Sequence, residues 1–166
     1  VCGVQPDLQT LGKIVGGGLP VSAVVGRANV IDRLAPAGKV YQAGTMAGNP
    51  VAVAAGIATL EELRTGLPHA TLATLGEAFD RALAAAPGAP RVVREGPMFW
   101  PYYDSNGPVP VRDDQITADA VAGFRGRYQG WLDAGLYLPP SAYEVGFFSA
   151  AHTVAEVEAL ARALAS

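Results

Sequence analysis

Residues 50–64, PVAVAAGIATLEELR, restrict the fold of this chain more than any other stretch. Alanine, valine, isoleucine and leucine occupy most faces of the helix predicted here, and charge enters only at Glu61, Glu62 and Arg64. A helix that is apolar nearly all round has to be buried nearly all round. The expected fold therefore places other structure on most of its sides. Pro50 suits the first turn, where its missing N–H costs nothing, and Gly66-Leu67-Pro68 stops the helix. Half of the 166 residues are apolar, enough for a real core in one domain, or one and a part.

The flanking segments supply the partners such a helix needs. Residues 7–15, DLQTLGKIV, read as a short strand or strand end running into a glycine loop, and VSAVVGR at 21–27 reads as a second strand. Asn29 is placed to cap a helix over VIDRLAP, with Asp32 at its third position and Pro36 as its stop. VYQAGTMAGNP at 40–50 is a loop. Downstream, residues 69–86 predict a helix with Leu72, Leu75, Phe79 and Leu83 in one stripe. RVVREGPMFWPYY at 91–103 reads as strand, turn, strand, and 117–135 as a helix loosened by glycines. LYLPPS and VGFFSA read as two short strands, and the last helix opens with a Thr153/Glu156 capping box. Strand–helix units come first and a smaller α+β unit follows, with a boundary near 66–70.

The totals exclude several classes of function. Net charge is −3, pI is about 5.3 and no basic run occurs, which argues against nucleic acid as a partner. Cys2 is the single cysteine, so a disulfide framework and a thiolate metal site are ruled out, and a reducing, cytoplasmic setting is expected. No signal peptide and no membrane-spanning apolar run is read from the sequence. His69 opens a helix and His152 precedes the capping box; both read as structural, and no metal site is expected. The opening VCGVQPDLQT has no initiator methionine and no start signal, so the chain is expected to begin part-way through a longer one.

Lys13 in LGKIVGGGLP is the chemically suggestive residue. A phosphate-binding loop needs a glycine at position 7 and Ser or Thr after the lysine; the chain has Asp7 and Ile14. A dinucleotide fingerprint needs its glycines to open a helix, whereas Gly16-Gly17-Gly18 leads into Leu19-Pro20 and a strand. A Schiff-base lysine needs an amine that is neutral part of the time, through desolvation or a nearby cation. A lysine at a strand end, packed under a planar cofactor with glycines allowing close approach, meets that need. A surface lysine ahead of a flexible loop has the same local sequence, and residue types alone leave both readings open.

PDLQTLGKIVGGGLPVSAVVGR, YQAGTMAGNPVAVAAGIATLEEL and GLYLPPSAYEVGFFSAAHT, in that order, resemble the class III aminotransferases of pyridoxal-phosphate fold type I. The likeness is nearest to the glutamate-1-semialdehyde aminomutase branch. It implies an α/β fold: residues 1–68 as the remainder of a large cofactor-binding domain, and 69–166 as a linking helix and small α+β C-terminal domain. It implies pyridoxal 5′-phosphate as cofactor, passing through the pyridoxamine 5′-phosphate form. Lys13 then corresponds to the lysine that links covalently to the cofactor and shuttles a proton. Gly44 and Thr45 correspond to the contact with the cofactor phosphate of a neighbouring subunit, so a homodimer with shared active sites is implied; their place ahead of a helix N-terminus suits an anion. Tyr41 corresponds to a residue at the active-site entrance, though a buried aromatic with a satisfied hydroxyl fits as well. Glu144 corresponds to an acidic residue near cofactor and substrate, where many family members carry an arginine for a substrate carboxylate.

The resemblance implies isomerisation of glutamate-1-semialdehyde to 5-aminolevulinate, the tetrapyrrole precursor. An intermolecular aminotransferase acting on a β- or ω-amino substrate is the alternative, and a non-catalytic partner subunit of a split enzyme is a third. Departures from the family pattern occur in VSAVVGR, MFWPYYDS and YLPPSAYEVGF and bear on the substrate rather than the cofactor. The family's main phosphate loop and the aspartate that pairs with the pyridine nitrogen lie upstream of anything in this chain. The chain is thus expected to be a C-terminal portion, inactive without an N-terminal portion that is a second chain, a processed segment or a stretch outside this sequence.

Overall fold

A computed structural model describes residues 3–166; Cys2 lies outside them. The chain divides into an N-terminal unit ending at Leu67 and a C-terminal unit beginning at Pro68.

In the N-terminal unit, β1 (Leu8–Leu11) and β2 (Ala23–Gly26) form a two-stranded antiparallel sheet with Leu8 opposite Gly26 and Leu11 opposite Ala23. Between them, Lys13–Gly16 form a single 3-10 turn. The lysine therefore sits beyond the strand end, in a turn of its own. A short helix α1 (Ala28–Ile31) follows β2; its N-cap is Arg27 without a side-chain bond, so Asn29 lies inside the helix and does not cap it. The predicted run through Pro36 is cut short at Ile31.

Helix α2 (Pro50–Arg64) forms as its sequence predicts, with Pro50 in the first turn and Asn49 as N-cap. Its burial does not. Only Ala52 and Gly56 are buried, and Val51, Ile57 and Leu60 are more than half exposed. Both strands are likewise exposed along their length. Among the described residues up to Leu67, burial is confined to Gly16 in the turn and to Ala52 and Gly56 of α2.

The C-terminal unit has a core of its own. Helix α3 (Leu67–Ala85) begins two residues earlier than its pattern indicates and buries Leu75 and Phe79 of the expected stripe. Strands β3 (Arg91–Glu95) and β4 (Met98–Tyr102) make a hairpin, and β5 (Gly146–Phe147) pairs with β4 at Met98 and Phe99. LYLPPS forms no strand: Pro139 and Pro140 remove two ladder donors, and Leu138 instead turns into the core. Helix α4 (Ala118–Asp133) is capped by Thr117, and α5 (Val154–Leu164) by the full Thr153/Glu156 capping box.

Aromatic side chains fill the centre. Phe79, Phe99 and Phe148 lie with ring centroids 5.0 to 5.3 Å apart, and Trp131 packs edge-on to Phe124 at 5.1 Å. MFWPYY is accordingly core material, with Phe99 and Tyr102 buried and Trp100 Nε1 donating to the Ala142 carbonyl at 2.8 Å. Opposite Phe99 stands Gly146, where a Cβ would overlap the ring and lie 2.7 Å from Cε1. Arg91 lies over the Tyr102 ring and donates to the carbonyls of Asp104, Asn106 and Gly107, while Asp104 accepts from the Asn106 amide and the Thr117 hydroxyl. Arg91 thereby ties β3 to the 104–107 loop, and Asp104 ties that loop to the start of α4.

Two predictions follow from this packing. Gly146→Ala should destabilise the chain by about 1–3 kcal/mol through overpacking against Phe99, read as a lowered denaturant midpoint with an unchanged slope. The second concerns acid. The Thr153 amide and hydroxyl hold the Glu156 carboxyl below its ordinary value of 4.5, and the Asn106 amide and Thr117 hydroxyl hold Asp104 below 3.8. A carboxyl depressed in the folded state stabilises it above the ordinary value and loses that contribution as pH falls through the folded value. The thermal midpoint should therefore fall below about pH 4.5, and Glu156→Gln should flatten that part of the slope.

Candidate functional site: the lysine turn and its helix

Lys13 is the one residue other than glycine with a positive φ among the described residues, at 55°. An L-residue in the left-handed region costs roughly 1–2 kcal/mol, and lysine has no side chain that bonds its own backbone to offset this, as Asn or Asp has. Such strain persists only where surrounding structure fixes it, and it concentrates at functional positions. The turn runs from Gly12, whose carbonyl accepts from Val15 N–H at 3.4 Å, to Gly17 at φ 57°, whose N–H donates to Ile14 at 3.0 Å. Lys13, Ile14, Gly18, Leu19 and Pro20 line a shallow open depression. The lysine is exposed, so the described residues do not supply the desolvation expected of its amine.

Backbone meets backbone beneath the turn. A Cβ on Gly56 would stand 3.0 Å from the Val15 carbonyl, and one on Gly17 would overlap Thr59 Oγ1 and lie 3.3 Å from the Ala55 carbonyl. The Thr59 hydroxyl is fixed by donating to Ala55 at 2.9 Å. Sequence reading passed over Gly56. Its signal was an isolated glycine inside an otherwise strong helix pattern, which usually has a packing reason.

Gly44 and Thr45 are exposed in a turn closed by Ala47 N–H donating to Gly44 at 2.9 Å. The anion-binding helix start expected after them is occupied. Pro50 has no N–H, the Val51 and Ala52 amides both donate to Asn49 Oδ1 at 3.1 Å, and Val53 N–H donates to the Asn49 carbonyl at 2.9 Å. A phosphate at Gly44 and Thr45 would be bound by the turn itself. Tyr41 is 84 % exposed in this chain.

Glu144 belongs to the C-terminal unit, exposed in a turn where its N–H donates to Ser141 at 3.1 Å. Lys13, Tyr41, Gly44 and Thr45 belong to the N-terminal unit. His69 lies in the first turn of α3, and His152 Nδ1 accepts from the Ser149 amide at 3.0 Å, a loop contact in keeping with a structural role. No cluster of three metal-ligating side chains occurs among the described residues, and no described helix is long and apolar enough to cross a membrane.

Comparison with known proteins adds the family. Residues 1–98 match the family described as aminotransferase class III. The chain is 47 % identical over 163 residues to glutamate-1-semialdehyde 2,1-aminomutase of Laribacter hongkongensis (strain HLHK9), a match covering 95 % of the chain and 37 % of that relative. The chain thus spans little more than a third of the length of the curated relative it matches. An ω-transaminase from Sphaerobacter thermophilus superposes with a TM-score of 0.82 at 31 % identity, over 98 % of this chain and 38 % of the transaminase. A transaminase with PLP bound superposes at 0.75 and 26 % identity, over the same shares. These neighbours give the fold as part of an α/β transaminase fold. With more than half of its residues matched by the family, the chain belongs to the class III aminotransferases.

Proposed function

We propose that this chain carries the cofactor-linking lysine of a pyridoxal-phosphate enzyme that moves an amino group, and that the enzyme is of the glutamate-1-semialdehyde 2,1-aminomutase type. The single observation that carries the reading is the left-handed backbone of Lys13. A solvated lysine in an ordinary loop has no reason to hold that conformation. An exposed amine on a braced turn, beside a shallow apolar depression, fits a planar aldehyde-bearing cofactor. Supporting the aminomutase type is the 47 % identity to the L. hongkongensis enzyme. A non-catalytic partner subunit would need neither the amine nor the strain.

When bound, pyridoxal phosphate supplies an electron sink for the pair released as a proton leaves the substrate carbon. Lys13 Nζ would hold the cofactor covalently and, once freed, would move a proton between the substrate carbon and the cofactor C4′, as general base and then general acid. The Gly44 amide and the Thr45 hydroxyl are offered to the phosphate of the cofactor in a second copy, which makes the working enzyme a homodimer. Glu144 presents a carboxylate suited to a substrate amino group and repels a second carboxylate. Tyr41, exposed in this chain, would stand at the entrance. A cytoplasmic setting agrees with the single cysteine.

The likeness to the S. thermophilus ω-transaminase favours a second reading, an intermolecular transaminase taking a β- or ω-amino substrate. External acceptors separate the two. An aminomutase should convert glutamate-1-semialdehyde without any added keto acid, whereas a transaminase should turn over only when one is supplied.

The first test is chemical. Borohydride reduction of the native protein that contains this chain should leave a pyridoxyl mass on the Lys13 peptide, and Lys13→Ala should abolish both the adduct and at least 99 % of turnover, about 2.7 kcal/mol or more in barrier height. A protein that loads cofactor yet shows no adduct at Lys13 overturns the assignment.

A further inference from the structure

We propose that Gly56 and Gly17 are positioning residues: their missing side chains let α2 and the lysine turn meet backbone to backbone, and that contact holds Lys13 in its left-handed conformation. The inference rests on the reading of Lys13 as the cofactor-linking lysine.

The bonds within the turn do not account for the conformation. They are the bond from Val15 to Gly12 at 3.4 Å and those from Gly17 to Ile14 and from Leu19 to Gly16, each at 3.0 Å. A four-residue 3-10 turn with these bonds is compatible with ordinary negative φ at every position. What is unusual is the packing under it. Gly16, Ala52 and Gly56 are the buried residues of the described N-terminal unit, and Gly56 stands against the Val15 carbonyl of the turn. Val21 closes it from the side, its Cγ1 2.9 Å from where a Gly16 Cβ would stand and 3.5 Å from that of Gly56. A Cβ at Gly56 would press on the Val15 carbonyl, two residues from Lys13. At 3.0 Å the carbonyl must yield by a few tenths of an ångström, and the atoms free to yield are those of the turn.

Gly56 is also the position where helix stability and lysine placement oppose each other. Alanine in a helix interior is better than glycine, so a helix with no other duty at this point gains from Gly56→Ala. If the glycine serves placement, the same substitution leaves α2 at least as stable and disturbs the turn.

The test uses the native protein that contains this chain, with Ala58→Gly on an exposed position of α2 as the reverse control. In cofactor-free protein, amide hydrogen exchange at Gly17 and Leu19 should quicken at least tenfold in Gly56→Ala, while α2 amides and the thermal midpoint do not fall. In the loaded enzyme, kcat should drop at least tenfold with KM little changed. Ala58→Gly should lower the midpoint and leave exchange in the turn and kcat as they are. Unchanged exchange at Gly17 and Leu19 in Gly56→Ala overturns the proposal, as does a loss confined to the thermal midpoint. If the wild type carries no pyridoxyl adduct on Lys13, the reading of the lysine fails, and the exchange measurement still decides whether the glycines hold the turn.

Discussion

The N-terminal unit depends on the contact between a turn and a helix that has given up its side chain at Gly56. β1 and β2 are exposed strands of four residues each, and α1 is a single turn. A two-stranded ribbon of that length is marginal in water. What ties this stretch to α2 is the packing of Val15 and Gly17 on Ala55, Gly56 and Thr59. On the proposed reading the same contact carries the chemistry, because Lys13, the non-glycine residue with a positive φ among the described residues, lies at its edge.

The C-terminal unit is organised differently. Its helices and three-stranded sheet enclose a continuous aromatic core, and each helix that starts against it is tied down by a side chain: Thr117 for α4, Thr153 with Glu156 for α5. Its sheet nevertheless presents apolar side chains on the face away from Phe99, with Val93, Met98 and Phe147 all at least 40 % exposed. Exposed apolar surface in both units accords with a chain that spans 37 % of its curated relative.

Legibility differed by kind of signal. Periodicity and capping chemistry placed α2, α3, α4 and α5 within two residues, because those signals are local. Asn29 misled, since Arg27 already occupied the N-cap and the helix was a single turn. LYLPPS misled because apolar content outweighed two prolines. Glycine spacing and the three family motifs pointed to Lys13, Gly44 and Thr45, but the sequence could not reveal that Asn49 takes the first free amides of α2, a question of which acceptor reaches them first. Nor could it reveal the left-handed Lys13. Backbone strain arises from contacts between segments far apart in the chain, and no window of sequence contains both sides of such a contact.

That separation has a consequence for the order in which the protein matures. The turn at 13–17 leaves the ribosome well before residues 52–59, which brace it. Until α2 has formed and docked, the residues around Lys13 are free to relax to ordinary backbone angles, and its amine is one among the other cations of the chain. On the proposed reading, a chain in which α2 has not docked offers the cofactor a lysine with the same ordinary backbone as Lys39, and the distinction between the two lysines is made by the fold.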